Sequence, residues 1–339
     1  MKIWIDIKMP HGPLFFKSFI DYFVNHKFIV TSRNYSEINS LLDKYKISYE
    51  SIGTKTEGSL FKKRFGFFKR VFDLIVKVPK YDLSLSHMSA WAIYASKIRG
   101  KKIIAFYDND INQDADRFYK HVDYMFVPKA IPESFLISKG LKKSSIHRYE
   151  GFKEDIYLAN YVPDPDFLTN LPFNNFVTIR AENFTTAYVD SRNKSLVPSL
   201  LSAFSDMNIN VLFLPRNSSE ASYSKNYDNV YIPPNALNGL DICYYSKAVL
   251  TGAGTMGREA ARMGIPAVTF FPGELLSVDK SMIDKKILFH SRNIKEIIDN
   301  LDLKSSSNSF NIDDSKTIKH NIFQSIEKIF EMVNLKNDR

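Results

Sequence analysis

Two α/β domains, each a parallel sheet of strand–helix–strand units, are what the sequence predicts. Three observations carry that expectation. Short apolar runs alternate with amphipathic stretches along most of the chain, at the spacing of parallel βαβ units. The alternation breaks at Tyr161-Val162-Pro163-Asp164-Pro165, where the prolines disfavour both helix and central strand, and then restarts. A length of 339 residues corresponds to about two domains at about 150 residues each.

The elements follow in order. Residues 2–7 read as a strand, Pro10-His11-Gly12-Pro13 as a loop and residues 14–25 as a helix. A strand at 27–32, a helix at 35–45 and a strand at 48–52 come next. The basic segment 60–80 carries Phe61, Phe65, Phe68, Phe72 and Ile75 at helical spacing. Strands are predicted at 82–86, 102–106 and 124–127, with a helix at 90–98 between the first two. Past the prolines, strands fall at 176–179, 210–214, 230–232, 248–250 and 267–271, and helices at 196–204, 239–245 and 256–263. A polar loop at 304–309 precedes a last amphipathic helix over 317–333. The expected organisation is an N-terminal domain over 1–160, a second over 161–312, and a terminal helix over 313–339 returning to the first domain.

Composition narrows the class. Hydrophobic residues at 44% and charged residues at 24% exclude disorder, collagen and coiled coil as descriptions of the whole chain. The 27 Phe, 18 Tyr and 2 Trp supply a large core and leave rings over for a surface. A net charge of +9 favours anionic partners such as phosphates, nucleotides or anionic lipid. Cys243 is the single cysteine, so no intrachain disulfide forms, which fits a reducing compartment. The first apolar run is broken at Asp6 and Lys8, unlike a signal peptide, and no run of about 20 apolar residues occurs. A cytoplasmic protein is expected.

In open parallel sheets, ligands bind beyond the carboxyl ends of strands. Three such ends carry candidate chemistry. Thr251-Gly252-Ala253-Gly254-Thr255-Met256 follows a strand and opens a helix, where free N–H groups and the helix dipole favour a phosphate. Glu259, one turn into that helix, is placed to accept ribose hydroxyls. The alternative is a tight strand–helix turn with Glu259 favourably near the helix start. His11, on the loop after the first strand, suits a general base or an anion ligand, against a plain surface histidine. Arg180 and Arg216 end adjacent strands and form a phosphate clamp, or else pair with Glu182 and Glu220.

Two further features are weighed. Asp108-Asn109-Asp110 has the spacing of a metal-binding pair and reads better as a polar turn. Segment 60–80 combines Lys62, Lys63, Arg64, Lys69, Arg70, Lys77 and Lys80 with Phe61, Phe65, Phe68 and Phe72, against the acid Asp73. That suits the surface of an anionic membrane, the alternative being a core-facing stripe under a solvated basic face. No nucleic-acid-binding motif is present, and nucleic acid is not an expected partner.

These residues carry a resemblance. The opening Met1-Lys2-Ile3-Trp4-Ile5-Asp6-Ile7 with Pro10-His11, then His87, Pro128-Lys129-Ala130-Ile131-Pro132, Tyr149-Glu150-Gly151-Phe152-Lys153-Glu154, Leu214-Pro215-Arg216, the run from Gly252 to Glu259 and Phe270-Phe271-Pro272-Gly273 resemble a largely archaeal family catalogued as domain of unknown function 354. The likeness spans about residues 1–295. That family is similar to the GT-B superfamily of nucleotide-sugar glycosyltransferases and non-hydrolysing UDP-N-acetylglucosamine 2-epimerases.

The resemblance implies two Rossmann-like domains facing a central cleft, with the donor nucleotide on the C-terminal domain and the acceptor on the N-terminal one. Glu259, five residues before Gly264-Ile265-Pro266, matches the ribose-binding glutamate of the GT-B transferase that makes lipid II. The pyrophosphate would meet Gly252, Ala253, Gly254, Thr255 and Met256 with Arg180 or Arg216. The sugar and acceptor would lie near Pro10, His11, Gly12, His87, Asp108, Lys153, Glu154, Pro272 and Gly273. No metal or other cofactor is implied. Lys8-Met9-Pro10-His11-Gly12-Pro13 lacks the second histidine common in the family, and Ile179 stands where 2-epimerases carry a histidine, which favours transfer over epimerisation. The expected activity is transfer from a nucleotide sugar, a UDP-sugar, to a lipid-linked or glycan acceptor, at the cytoplasmic face of a membrane. A 2-epimerase or a non-catalytic nucleotide-sugar binder is the alternative, and the oligomeric state stays open.

Overall fold

The structure, a computed structural model, describes residues 1–34, 36–54, 58–111, 116–184, 194–301 and 312–337. The predicted loop at 304–309 and the predicted helix start at Tyr35 lie outside the described residues. The chain divides into two compact units, Met1–Tyr157 with Lys316–Arg339, and Leu158–Ser315.

The first unit holds seven strands: β1 (Lys2–Ile7), β2 (Lys27–Asn34), β3 (Glu50–Thr54), β4 (Leu83–His87), β5 (Lys102–Phe106), β6 (Tyr124–Pro128) and β7 (Ile146–Tyr149). Their order is β3-β2-β1-β4-β5-β6-β7, every described pairing parallel. Helices α1 (Gly12–Tyr22), α2 (Ser36–Lys44), α3 (Leu60–Lys77), α4 (Ala90–Ile98), α5 (Asp116–Tyr119), α6 (Glu133–Ser138) and α7 (Lys153–Leu158) lie between and after them. Central strands buried on both faces read as continuous apolar runs, as β1 does from Ile3 to Ile7. β7 was not expected from the sequence. Ile146-His147-Arg148-Tyr149 is a short edge strand with two polar residues at its centre, so it offers no apolar run.

Asp6 is the exception inside β1, 1% exposed in an otherwise apolar strand. Arg70 of α3 meets it with two donor bonds, Nη2 to Oδ1 at 2.7 Å and Nη1 to Oδ2 at 3.0 Å. Thr31 and Ser89 donate to the same carboxylate at 2.8 and 2.5 Å. Burial alone raises the Asp6 pKa, but the Arg70 charge and these bonds more than reverse it, so the carboxyl titrates below its ordinary value. Arg70 also donates through Nε to the Ile52 carbonyl at 2.9 Å. This corrects the placing of Arg70 among surface cations: it is 3% exposed and faces the sheet.

The second unit holds β8 (Val177–Arg180), β9 (Val211–Leu214), β10 (Val230–Tyr231), β11 (Val249–Thr251), β12 (Ala267–Thr269) and β13 (Phe289–His290). The order is β10-β9-β8-β11-β12-β13, again parallel throughout. Its helices are α8 (Val197–Asp206), α9 (Ser218–Ala221), α10 (Gly239–Tyr245), α11 (Gly254–Arg262), α12 (Ser277–Asp284) and α13 (Ile294–Asp299). Ile179, Leu250, Val268 and Phe213 of the sheet pack with Leu200 and Phe204 of α8. β12 ends before the predicted 271, because the Phe271 N–H turns to the Thr269 hydroxyl at 3.3 Å. β13, two residues long, is too short to leave a periodic signal. Both units are Rossmann-like, of the kind that builds the GT-B fold.

The last helix, α14 (Ile312–Asn337), packs in the first unit from Lys316 onward. Phe323 lies 4.6 Å from Phe19 and 5.2 Å from Phe23, ring centroid to centroid, and Phe330 lies 5.1 Å from Phe23. Buried Ile322, Phe323, Ile326, Ile329, Phe330 and Val333 recur every three or four residues, one stripe of a helix.

Removing one partner of a buried ion pair strands the other, so Asp6→Ala is expected to destabilise the protein by about 3–5 kcal/mol in chemical denaturation. Asp6→Leu combined with Arg70→Met is expected to recover most of that loss. A native pKa below the ordinary 3.8 means the carboxylate's contribution is present above about pH 4 and is lost as the pH falls.

Candidate functional site

Each sheet reverses direction once in its strand order, between β1 and β4 in the first unit and between β8 and β11 in the second. The carboxyl ends flanking such a reversal form the natural ligand site of an open parallel sheet. The sequence-predicted residues cluster at or near these two places.

At the first reversal, Pro10, His11 and Gly12 lead from β1 into α1, with His11 as the residue that begins the helix. His87 is the last residue of β4, and its ring meets that of His11 edge to face at 4.9 Å. His87 Nε2 lies 3.3 Å from Oδ1 of Asp108, just past β5. Lys153, opening α7, is ion-paired with Oδ2 of Asp108 and lies 3.5 Å from Glu154. His87, Asp108, Lys153 and Glu154 are all buried. Burial lowers the His87 pKa, and Asp108 only partly offsets it, so the ring is neutral near pH 7. The structure therefore links His11, His87, Asp108, Lys153 and Glu154 in one row of contacts.

Gly151 sets the turn that delivers Lys153. Its φ is +77°, and a Cβ there would overlap the Ile318 side chain of α14 and sit 2.6 Å from Asp155 Oδ2. Asp155 in turn accepts from the Phe152 N–H at 2.7 Å. Helix α14 thus closes the back of the segment that positions Lys153.

Lys8 was not among the predicted site residues. It follows β1 and is half-buried near Asp6, Arg33, Arg70 and Asp108. Burial, then the Arg33 charge, push its pKa down to about 8. The signal was present as a charge directly after an apolar strand. Arg33 and Arg70 both lie over the Trp91 ring, at 4.9 and 4.7 Å.

At the second reversal, Gly252 and Ala253 lead into α11, which starts at Gly254, Thr255 and Met256. Gly252 donates to the Arg180 carbonyl at 2.9 Å, and a Cβ on it would lie 2.7 Å from the Glu182 nitrogen and overlap the Glu182 side chain. The glycine is required by the approach of the two strand ends. The residue at the N-cap of α11, Ala253, makes no side-chain cap bond, and the Thr251 hydroxyl accepts from the Ala253 N–H at 3.0 Å. Glu259 is buried, and together with burial it raises the Cys243 thiol pKa well above its ordinary value.

Arg180 and Arg216 brace their strand ends reciprocally. Arg180 Nη1 donates to the Leu214 and Pro215 carbonyls at 3.2 and 3.1 Å, and Arg216 Nε donates to Ala181 at 3.0 Å. Glu182 instead accepts from Ser195 and the Leu196 N–H, at 2.7 and 2.8 Å, and lies 3.6 Å from Arg292. Glu220 accepts from the Arg216 backbone N–H at 2.7 Å. Pro272 and Gly273 sit on the half-buried loop between β12 and α12, which Arg292 holds by a 2.6 Å bond to the Phe270 carbonyl. Arg258, missed in the sequence, is buried under Gly254 and pairs with Asp279 at 3.0 Å. Only the i,i+4 step from Gly254 pointed to it. Among the described residues, no group of three or more His, Cys, Asp or Glu is arranged to hold a metal.

A family described as protein of unknown function (DUF354) matches residues 1–335. The chain belongs to DUF354. Among curated proteins, an uncharacterized protein of Methanocaldococcus jannaschii is 33% identical over 107 residues, so the match covers about a third of each, 31% of this DUF354 chain and 31% of that one. Among solved structures, the fold is similar to that of the M. jannaschii UDP-GlcNAc 2-epimerase in complex with UDP-GlcNAc and UDP. That likeness has a TM-score of 0.70 at 13% identity and covers 96% of this chain and 100% of that one. It is also similar to the UDP-N-acetylglucosamine 2-epimerase of Rickettsia bellii, with a TM-score of 0.70, 14% identity and 98% of each chain covered. The glycotransferase of kitacinnamycin has a TM-score of 0.60 at 9% identity, over 98% of this chain and 99% of that one. At these identities the likeness establishes the fold.

The lowered pKa of Lys8 has a definite sign. Between about pH 8 and its unfolded value of 10.5, the unfolded chain binds the proton that the folded chain has released, so stability rises with pH there. Wild type is therefore expected to gain on Lys8→Met between pH 7 and 10 in parallel denaturation curves. A constant gap would mean that Lys8 titrates normally.

Proposed function

We propose that this protein binds a nucleotide sugar, a UDP-sugar, and transfers the sugar to a lipid-linked or glycan acceptor without a metal. The observation that carries the reading is the pairing of an uncapped, glycine-opened helix with Arg180 and Arg216 at the second switch point. Backbone N–H groups at the start of α11 would take the pyrophosphate at Gly252, Ala253, Gly254, Thr255 and Met256. Arg216 and Arg180 would add charge-assisted bonds and neutralise the departing diphosphate, the task a metal performs in other transferases. Glu259 would accept the ribose hydroxyls.

The first unit supplies the proton chemistry. The His87 ring lies edge to face with that of His11, and Asp108 lies behind His87. His11 would take the proton of the acceptor hydroxyl. Lys153, held between Asp108 and Glu154, would place a positive charge near the acceptor. Pro10 and Gly12 would lie near the acceptor, and Pro272 and Gly273 near the donor sugar.

A second reading is favoured by the solved structures of similar fold, two of which are named as 2-epimerases. Ile179 beside Arg180 offers no titratable group where those enzymes resemble one another, and this supports transfer. Turnover of UDP-N-acetylglucosamine separates the two: an epimerase changes the nucleotide sugar with no acceptor present, a transferase releases UDP faster when acceptor is added.

Loss of one hydrogen bond to a charged group costs about 1.5–3 kcal/mol, or about 10–100-fold in affinity. Glu259→Ala is therefore expected to weaken UDP binding by about that factor in titration calorimetry and to leave inorganic pyrophosphate binding unchanged. Equal UDP affinity in the variant contradicts the ribose assignment.

A further inference from the structure

Helix α3 has two apolar faces. Leu74 and Val71 are buried with Arg70 against the sheet, and Val78 is buried just past the helix end. On the other side Phe61 is 79% exposed, Phe65 65%, Phe68 68%, Phe72 65% and Val76 64%. At about 100° per residue these five fall within about 80° of arc and form a row about 22 Å long. Contiguous apolar surface of this kind marks an interaction site. Lys62, Lys63, Arg64 and Lys69 are all exposed on this helix, with Arg64 on one flank of the row and Lys62 and Lys69 on the other. Lys77 and Lys80 continue the positive charge at its end. The one acid of the segment, Asp73, is partly buried and paired with Lys69 at 3.2 Å.

We propose that α3 is an interfacial helix that docks the first unit on an anionic lipid bilayer. The rings would enter between lipid headgroups, and the flanking cations would lie at the depth of the phosphates. The shape argues for a bilayer: a convex single row of rings fits a deformable apolar layer. The charge argues against a second copy of the chain, because two such rows packed together would bring like cations face to face. The fixing of the helix serves the same end. Arg70 holds its inner face to Asp6, and Arg99 donates to the Val78 and Pro79 carbonyls at 2.7 and 3.1 Å, so the outward row is set by the fold. No helix among the described residues is long and apolar enough to cross a membrane, and docking of this kind needs none. The inference is independent of the nucleotide-sugar reading.

The test is co-sedimentation of the full chain with vesicles of phosphatidylcholine, alone and mixed with phosphatidylglycerol. Binding to the mixed vesicles at least tenfold tighter than to phosphatidylcholine, and weakened by salt, is the expected result. Phe65→Ser with Phe68→Ser is expected to lower that affinity at least tenfold while leaving the melting temperature and UDP binding as in wild type. Because both rings are exposed, the variant is expected to fold; a Phe68→Trp chain gives a second readout, a blue shift of its emission on mixed vesicles relative to wild type. Equal binding to both vesicle types, full binding by the double serine variant, or an unshifted tryptophan overturns the proposal. So does a dimer that the serine substitutions dissolve while vesicles pull nothing down, since the row would then be a self-association face.

Discussion

A single buried carboxylate organises the first unit. Asp6 gathers Arg70 from α3, Thr31 from β2 and Ser89 from the start of α4, while Trp4 donates to the same Thr31 hydroxyl at 2.9 Å. A charge inside a parallel sheet is tolerable only when its lone pairs are filled and a counter-charge is in contact. Filling them draws in the neighbouring strand β2 and two helices, α3 by its body and α4 by its start. The same contact decides which face of α3 points outward. It also sets the field felt by Lys8, two residues along the chain and next to the His11 turn.

The second unit reaches the same strand order by other means. Its switch point rests on backbone proximity: the end of β11 lies so close to Glu182 that position 252 accepts only glycine. Glu182, which the sequence offered as a partner for Arg180, ties the start of α8 instead. Arg180 and Arg216 are then left to spend part of their donor capacity on carbonyls of each other's strand end. One unit thus presents a row of titratable groups and the other a helix start with two arginines. The proposed roles in proton transfer and phosphate binding rest on that difference in chemistry.

Much of this architecture is legible in the sequence because parallel sheets leave long apolar runs. Strand β5 and helices α4 and α10 fall where periodicity places them, at Lys102–Phe106, Ala90–Ile98 and Gly239–Tyr245. Edge strands β7 and β13 escape because they are short and half solvated. The reach of α1 was overread to 25, since Phe23 already closes the helix by bonding to Phe19. Strand-to-helix turns were legible where glycine or proline marked them, as at Pro10 to Gly12 and Gly252 to Gly254. Arg70 and Arg258 were misplaced or missed for one reason: a cation's role depends on which face of its element meets the sheet, and their carboxylate partners lie tens of residues away in sequence.

The central claim is that a nucleotide sugar sits at the start of α11. Amide hydrogen exchange of the full chain, with and without UDP-N-acetylglucosamine at saturation, addresses it directly. The account predicts slowed exchange concentrated in residues 252–256 and at Arg216, with little change in the edge strands β10 and β13. Unchanged exchange at 252–256, with protection elsewhere or nowhere, would contradict it.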